Sequence, residues 1–541
     1  MRRAAREPSS SARTGAKALV ESLERAGTQI LFGYPGGNVI DIFNLLPASK
    51  MKFVLGRHEQ GCVHMADGYA RATGRPGVAL VTSGPGATNA ITGLGTANMD
   101  GVPLVLVSGQ VPLSQIGTDA FQEADMSGIC RAVTKHSFLV KSADEIPETV
   151  AEAFYIATHG KPGAVVIDLP SDVQRSLCAA QYPERISLRA YHPECPVPPG
   201  SAAALAGLVN RARRPVIYAG GGVIASGAAA DLAALAAKAQ IPVATSLMGV
   251  GSFDTRSPLA LGMAGMYGTP AANAAIASAD LVLALGVRFN DRMTAAFPPK
   301  SGVKTVHVDC DASSIEKNVP VSLGIVADIK DVLTTISSRV KPARHDEWLK
   351  RLAALARPKR RAPRRGKGIS PAEVVRSIAA AVDGDAIVVT DVGQHQMFAA
   401  REFPHSRPRR FISSGGMGTM GFGIPAAIGA ALAMPGEKVV ALVGDGGAQM
   451  TAEELKVAAD ERLGIVFVVF NNSSLGMIRQ MQERYFVGNF TNPDFMALAK
   501  AYGLKGIRVE EASGLDGAMA RAVRAKGPVL VEVKVDRDAR A

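Results

Sequence analysis

Cysteine is scarce in this chain. Cys62, Cys130, Cys178, Cys195 and Cys310 are odd in number, scattered over 541 residues and never spaced as a CxxC. That pattern excludes a disulfide framework and a thiolate zinc site, and it fits a reducing cytosol. Aromatic residues make up only 5%. No run of about 18 apolar residues occurs, so no membrane-spanning helix is expected. The opening Met1-Arg2-Arg3-Ala4-Ala5-Arg6-Glu7-Pro8 lacks the apolar centre of a secretory signal and reads as a polar tail. The formal charge of +12 raises nucleic acid as a partner. Much of the excess is local, however, since residues 357–367 hold seven basic residues in eleven. Proline interrupts that run and no aromatic interleaves with it, which describes a solvated linker and not a nucleic-acid surface.

Glycine and alanine are abundant, and the length calls for about three domains. From residue 14 to 180 helical and strand patterns alternate. Ala16–Ala26 is an amphipathic helix, Ile30–Gly33 a strand, and Tyr34-Pro35-Gly36-Gly37 a turn. Met51–Leu55 is a strand, Glu59–Thr73 a helix, and Val78–Val81 a strand running into the turn Thr82-Ser83-Gly84-Pro85-Gly86. Such alternation predicts an α/β fold with parallel, doubly wound sheets. Three prolines between Cys195 and Gly200 mark a linker. A second α/β segment follows over 196–340 and, beyond the basic run, a third over 369–541. The first and third segments resemble each other in element order.

The third segment carries the sharpest chemical signal. The apolar run Lys438–Val443 ends at Gly444-Asp445-Gly446, and a second, Ile465–Phe470, ends at Asn471-Asn472. With a helical pattern over Ala452–Leu463 between them, this is a right-handed βαβ unit. Asp445 and Asn472 then emerge at the carboxyl ends of parallel strands, where open α/β sheets bind ligands. A carboxylate and an amide oxygen are hard ligands that suit Mg²⁺ holding a phosphorylated partner. Gly416-Met417-Gly418-Thr419-Met420-Gly421 matches GxGxxG literally but lacks the acidic residue about 20 positions on, so a nicotinamide site is disfavoured. Glu59, where a strand gives way to a helix, reads in isolation as a first-turn glutamate favoured by the helix dipole.

Together these segments resemble the thiamine-diphosphate-dependent enzymes, and most closely the FAD-containing acetolactate (acetohydroxyacid) synthase catalytic subunits. The resemblance runs from about Thr14 to Val535. It is carried by Phe32–Gly37, Arg57-His58-Glu59-Gln60-Gly61, Thr82–Gly86, Gly117-Thr118-Asp119-Ala120-Phe121-Gln122-Glu123, Gly286–Arg292, Asp391-Val392-Gly393-Gln394-His395-Gln396, Gly418–Gly421, the Asp445 and Asn472 segments, and Leu475-Gly476-Met477-Ile478.

The resemblance implies three α/β domains, binding in turn the pyrimidine of thiamine diphosphate, FAD, and the diphosphate with Mg²⁺. It implies that Glu59 shares a proton with the aminopyrimidine in an apolar pocket, that Gln122 is a further catalytic residue, and that Tyr34 and Gly36 bind the same cofactor. Met420 would wedge beneath the two rings and the Gly418 carbonyl would accept from the amino group. Asp445, Asn472 and the Ser474 carbonyl would bind Mg²⁺. Val392, Gly393, Gln394, His395, Gly444, Gly446, Gly447, Gly476, Met477 and Ile478 would complete the cradle. FAD would lie on Gly220, Gly221, Gly222, Ser246, Leu247, Met266, Gly286, Arg288, Asn290, Asp309 and Asp328. Arg292 would touch FAD and clamp the carboxylate of the second 2-oxoacid, a geometry suited to guanidinium.

The implied reaction decarboxylates pyruvate and joins its two-carbon unit to a second 2-oxoacid. The implied assembly is a cytoplasmic homodimer or homotetramer, because Glu59 and the metal pair come from different subunits, and a small regulatory subunit is a further implied partner. Ser171 stands where the family usually has lysine, Met481 where it has tryptophan, and Tyr267 where it has histidine. These departures leave open a related carboligase or lyase with another acceptor. A non-catalytic binding role would not need Glu59, Asp445 and Asn472 together.

Overall fold

Strands whose side chains are apolar on both faces must be covered by helices on both sides, the arrangement of parallel sheets. The strands Gly77–Val81 and Leu104–Gln110 are of this kind, buried at every position. The computed structural model describes residues 13–294, 302–356, 368–482 and 488–541. The polar start at 1–12 and the basic run at 357–367 lie outside the described residues. The chain forms two compact units, one extending to Arg71 and from Arg75 to His192, the other made of Ala72–Gly74 and Pro193–Ala541.

The first unit holds one sheet, from β1 (Ile30–Tyr34), β2 (Lys52–Leu55), β3 (Gly77–Val81), β4 (Leu104–Gln110), β5 (His136–Leu139) and β6 (Ala164–Pro170). Its order is β2-β1-β3-β4-β6-β5, parallel throughout. The expected first helix is Gly15–Arg25, with Thr14 accepting from Lys17 N at its head. It buries Leu19, Val20 and Leu23 in the core of this unit, at roughly 1.5–3 kcal/mol for each large side chain. The predicted helix Glu59–Thr73 forms over those residues.

The second unit holds two sheets. One comprises β7 (Pro215–Ala219), β8 (Val243–Thr245), β9 (Ala260–Met263), β10 (Leu281–Leu285), β11 (Lys304–Asp309) and β12 (Leu323–Val326), in the order β12-β11-β10-β7-β8-β9. Read from the β9 edge, this is the order in which two mononucleotide-binding halves meet in dinucleotide-binding folds. The other comprises β13 (Ile387–Thr390), β14 (Phe411–Ser413), β15 (Val439–Gly444), β16 (Ile465–Asn471), β17 (Lys505–Val509) and β18 (Val529–Lys534). Its order, β14-β13-β15-β16-β18-β17, repeats that of the first sheet strand for strand. The similarity of element order read from the sequence is therefore a shared topology.

One local expectation needs correction. The chain between β15 and β16 is not a single helix over Ala452–Leu463. A helix begins on the carboxylate itself, Asp445–Met450, and a short 3₁₀ turn at Ala452–Glu454 leads into a second helix, Leu455–Asp460. Gly446 and Gly447 read as loop because glycine is a poor helix former. Packing overrides that preference, because a Cβ on Gly447 would run into Asp391 Oδ1.

Candidate active site

In each sheet the strand order reverses between two neighbouring parallel strands, and the crevice beyond their carboxyl ends is where such sheets bind ligands. In the third sheet those strands are β13 and β15. They deliver Asp391-Val392-Gly393 and Asp445-Gly446-Gly447 side by side, with Asn472 arriving at the end of neighbouring β16. Asp445 is 2% exposed. Its Oδ1 accepts from Gly446 N at 3.0 Å, and its Oδ2 from Asn472 N at 3.2 Å, Ser473 N at 2.6 Å and Asn492 Nδ2 at 2.8 Å. Burial nevertheless pushes its carboxyl above the ordinary range, with those donors opposing the shift. A carboxylate in that condition favours a cation.

Asn472 Oδ1, the amide oxygen expected on the metal, is buried without a hydrogen-bond partner, and so is Ser474 Oγ, in the residue expected to contribute its carbonyl. Among the described residues no three His, Cys, Asp or Glu side chains gather into a metal cage. A hard cation here would therefore draw its remaining oxygens from backbone, water or phosphate, which suits Mg²⁺. The donor set fits.

The cradle residues converge on the same turn. The His395 ring packs where Gly393 and Gly444 have no Cβ; a Cβ on either would lie within 2.9 Å of His395 Cε1. Burial brings the imidazole down to about 4, and its Nε2 has no partner. Gln394 donates to Ala539 O at 2.7 Å and to Gln480 Oε1 at 2.9 Å, and its own amide oxygen fills the space a Cβ on Gly476 would need. Met477 takes a contact from Gln480, while Ile478 and Met481 are exposed. Val392 is half-buried beside Gly418, whose φ of 64° is in the region that favours glycine. Met420 is half-buried and reaches the Asp445 turn, for a Cβ on Gly446 would sit 3.4 Å from Met420 Cε.

In the first unit the reversal lies between β1 and β3, and it gathers the turn Tyr34–Gly37 against Thr82–Gly86. Gly36 packs on Thr82, and Asn38 Nδ2 donates to Ser83 Oγ at 2.7 Å. Glu59 is the first residue of its helix, as expected. It is half-buried and accepts from Asn89 Nδ2 at 3.0 Å. Gln122 takes the left-handed conformation at φ 63°, and a Cβ on Gly84 would lie 2.9 Å from its Cα. Its loop is closed by Glu123, which accepts from Gly117 N and Ala120 N.

The middle sheet reverses between β7 and β10, at Gly220-Gly221-Gly222 and Gly286. Gly220 and Gly222 are needed there by the fold itself, because a Cβ on either would strike the Gly286 backbone. Gly221 packs more loosely, 3.2 Å from Met248 Cβ. Ser246 accepts from Gly249 N and so caps the turn that starts at Leu247. Asp328 caps the helix Ile329–Ser337, and Asp309 accepts from Asp311 N. Met266 and Asn290 are exposed, and the Arg288 carbonyl accepts from Asn318. The side chain of Arg292 is 58% exposed, while its carbonyl fixes Met266 N at 2.8 Å.

Comparison with known proteins decides the family. Residues 13–129, 202–336 and 391–533 match, in order, the N-terminal binding, central and C-terminal binding domains of thiamine pyrophosphate enzymes. The chain is 44% identical over 97% of its length to the acetolactate synthase isozyme 3 large subunit of Escherichia coli, covering 95% of that protein. It is 42% identical to the acetolactate synthase large subunit of Haemophilus influenzae, over 97% of this chain and 94% of the other, and 42% to the acetolactate synthase of Mycobacterium bovis, over 97% and 88%. The chain belongs to the thiamine pyrophosphate enzymes. Within them it falls in the acetolactate synthase family, and thiamine diphosphate is the cofactor its end domains are built to bind.

For a thiamine pyrophosphate enzyme, several side chains now stand out that the sequence did not reveal. Asn492 bridges Asp445 and Asn471, and Asn471 in turn donates to buried Glu532 at 2.6 Å. Thr491-Asn492-Pro493 reads as an ordinary turn, so nothing local flags it. Asn89, on Glu59, lies in an unremarked helical stretch. Of the departures from the family pattern, Ser171 is buried with Arg175 at 3.5 Å, and the Tyr267 hydroxyl meets Gln480 Nε2 at 3.4 Å. Among the described residues no helix is long and apolar enough to cross a membrane.

Proposed function

We propose that this chain is the catalytic subunit of an acetolactate synthase, releasing CO₂ from pyruvate and joining the remaining two carbons to a second 2-oxoacid in branched-chain amino acid synthesis. The reading is carried by buried Asp445 at a strand-order reversal, bonded to the backbone of Asn472, whose own amide oxygen is buried without a partner, in a chain 44% identical to an acetolactate synthase large subunit. The working division is 14–180 for the pyrimidine, 196–340 for FAD and 369–541 for the diphosphate.

Thiamine diphosphate, when bound, supplies a carbon acid that adds to a 2-oxoacid carbonyl and accepts the electrons left by decarboxylation. The residues of this chain would prepare that chemistry. Glu59, steadied by Asn89, holds a proton at the pyrimidine nitrogen N1′, and the Gly418 carbonyl accepts from the neighbouring amino group. Met420 would pack beneath the cofactor's rings. Asp445, Asn472 and the Ser474 carbonyl hold Mg²⁺, with His395 and the Gly446-Gly447 amides on the diphosphate. Arg292 pairs with the carboxylate of the second 2-oxoacid, and Gln122 is a further catalytic residue.

FAD as a further cofactor is supported by the dinucleotide-type strand order of the middle sheet. A homodimer or homotetramer, a smaller regulatory subunit and a cytoplasmic location complete the reading, with no nucleic acid or membrane among the partners. The second reading, a carboligase with another acceptor, draws on Ser171 and exposed Met481. The test supplies pyruvate as sole substrate and adds thiamine diphosphate, Mg²⁺ and FAD back one at a time. Acetolactate formed only with thiamine diphosphate and Mg²⁺ present supports the proposal. CO₂ release without acetolactate favours the second reading, and full activity without flavin removes FAD.

A further inference from the structure

Asp391 is a buried carboxylate, 0% exposed, to which the proposed chemistry gives no part. It leaves the end of β13 and turns its side chain toward the segment that follows Met420. Its Oδ1 accepts from Val392 N at 2.8 Å, and its Oδ2 accepts from Gly421 N at 3.0 Å and Gly423 N at 2.9 Å. Gly421, at φ 87°, is gripped a second time, since Thr451 Oγ1 donates to its carbonyl at 2.8 Å. On the other side of Met420, Thr419 N donates to Ser414 Oγ at 3.0 Å. Gly447 of the Asp445 turn packs directly on Asp391 Oδ1.

Three segments of the candidate site thus meet on one side chain: the loop before His395, the turn bearing Met420, and the turn bearing Asp445. Among the described residues no basic side chain forms an ion pair with Asp391, and the donors it meets are backbone amides. Burial pushes its carboxyl up to about 6 against those bonds. Holding a carboxylate here is therefore costly, and what it offers over asparagine is a second acceptor oxygen. An asparagine would turn an NH₂ group toward amides that are themselves donors.

We infer that Asp391 is a positioning residue, which fixes the peptide after Met420 and so sets where the Met420 side chain stands relative to the Gly446 turn. The bland alternative is a helix cap, since Gly423 opens the helix Gly423–Ala433. A cap contributes stability alone. A positioning residue also acts on the step that Met420 serves. The inference rests on the reading of Met420 as the support beneath the cofactor rings, and the test separates the two.

The test measures hydrogen–deuterium exchange at C2 of thiamine diphosphate, by acid quench and NMR, in full-length protein saturated with the cofactor and Mg²⁺. Calorimetry gives the cofactor's affinity in parallel. Asp391→Asn is expected to slow exchange by about ten- to a hundredfold, the scale on which misplacement by about 1 Å acts, while affinity changes much less. Because Asp391 acts through Met420, Asp391→Asn should slow exchange by less than about twofold when added to Met420→Ala, as coupled sites do in a double-mutant cycle.

Exchange at the parent rate in folded Asp391→Asn, with Met420→Ala slow, overturns the inference and spares the reading of Met420. Slowing that multiplies in the double variant also overturns it. Parent-rate exchange in Met420→Ala overturns that reading and the inference with it. Should Asp391→Asn not fold, Thr451→Val releases Gly421 from the opposite side. Slowed exchange there upholds positioning through Gly421, and unchanged exchange overturns it.

Discussion

Changing Asp445 to asparagine should leave the cofactor-free protein near its parent stability while removing its stabilisation by Mg²⁺ and thiamine diphosphate. Four donors point at the carboxylate, three of them at Oδ2. An asparagine can keep its oxygen toward those three and turn its NH₂ toward Gly446 N. One buried donor then lacks its partner, at about 1–3 kcal/mol. Against this, the variant no longer buries a charge whose carboxyl is already pushed upward by desolvation. The two effects oppose each other, so the bare protein should change little. With ligand the outcome differs. A parent enzyme at a hundredfold excess over its dissociation constant gains about 2.7 kcal/mol. The charged ligand lost in the variant is the only carboxylate that the proposed metal set contains. Differential scanning fluorimetry with Mg²⁺ and thiamine diphosphate, separately and together, reads the difference directly. The parent midpoint should rise by several degrees only with both present, and the variant's should not. An equal rise in both proteins would refute the assignment of the metal to Asp445.

Asp168 offers a test by pH. It is 2% exposed, and burial pushes its carboxyl from an ordinary 3.8 up to about 7, while Ser108 and Gln110 oppose the shift at 2.7 and 3.0 Å. Between those values the folded chain holds a proton that the unfolded chain has released, so stability falls as pH rises through the window and stays reduced above it. Asp168→Asn removes this loss, and its melting midpoint should gain on the parent's between about pH 5 and pH 8; a constant difference would refute the argument. Met481, half exposed, offers a flexible contact where the family has a rigid indole. Met481→Trp should raise selectivity for 2-oxobutyrate over pyruvate as acceptor by roughly ten- to two-hundredfold, the worth of one methylene contact. Competition between the two acceptors checks this, and unchanged selectivity would place the choice elsewhere.

The features legible in the sequence are those written locally. Apolar runs that stop at Asp445 and at Asn471-Asn472 required two parallel strands with their ends together, and β15 and β16 have that register. Glu59 heads its helix because a strand, a turn and an amphipathic period follow one another within a few residues. The pattern did not disclose contacts made across the fold. Asn492 reaches Asp445 over 47 positions, and Asp391 reaches Gly421 over 30. The helix at Asp445 was hidden by its own glycines, whose reason lies in the packing of Gly447 on Asp391. The glycines at 220 and 222 pointed toward a cofactor for a similar reason. The residue they make room for in this unit is Gly286.

The measurement closest to the centre of this account is C2–H exchange of bound thiamine diphosphate in Glu59→Gln beside the parent. The substitution is nearly isosteric, and its amide oxygen can keep the bond from Asn89 Nδ2, 3.0 Å away in the parent. Cofactor affinity should therefore hold, while exchange falls by about a hundredfold or more, the range of an acid–base group. Exchange at the parent rate with the cofactor fully bound would contradict the account, because Glu59 would then not be the group that readies the cofactor.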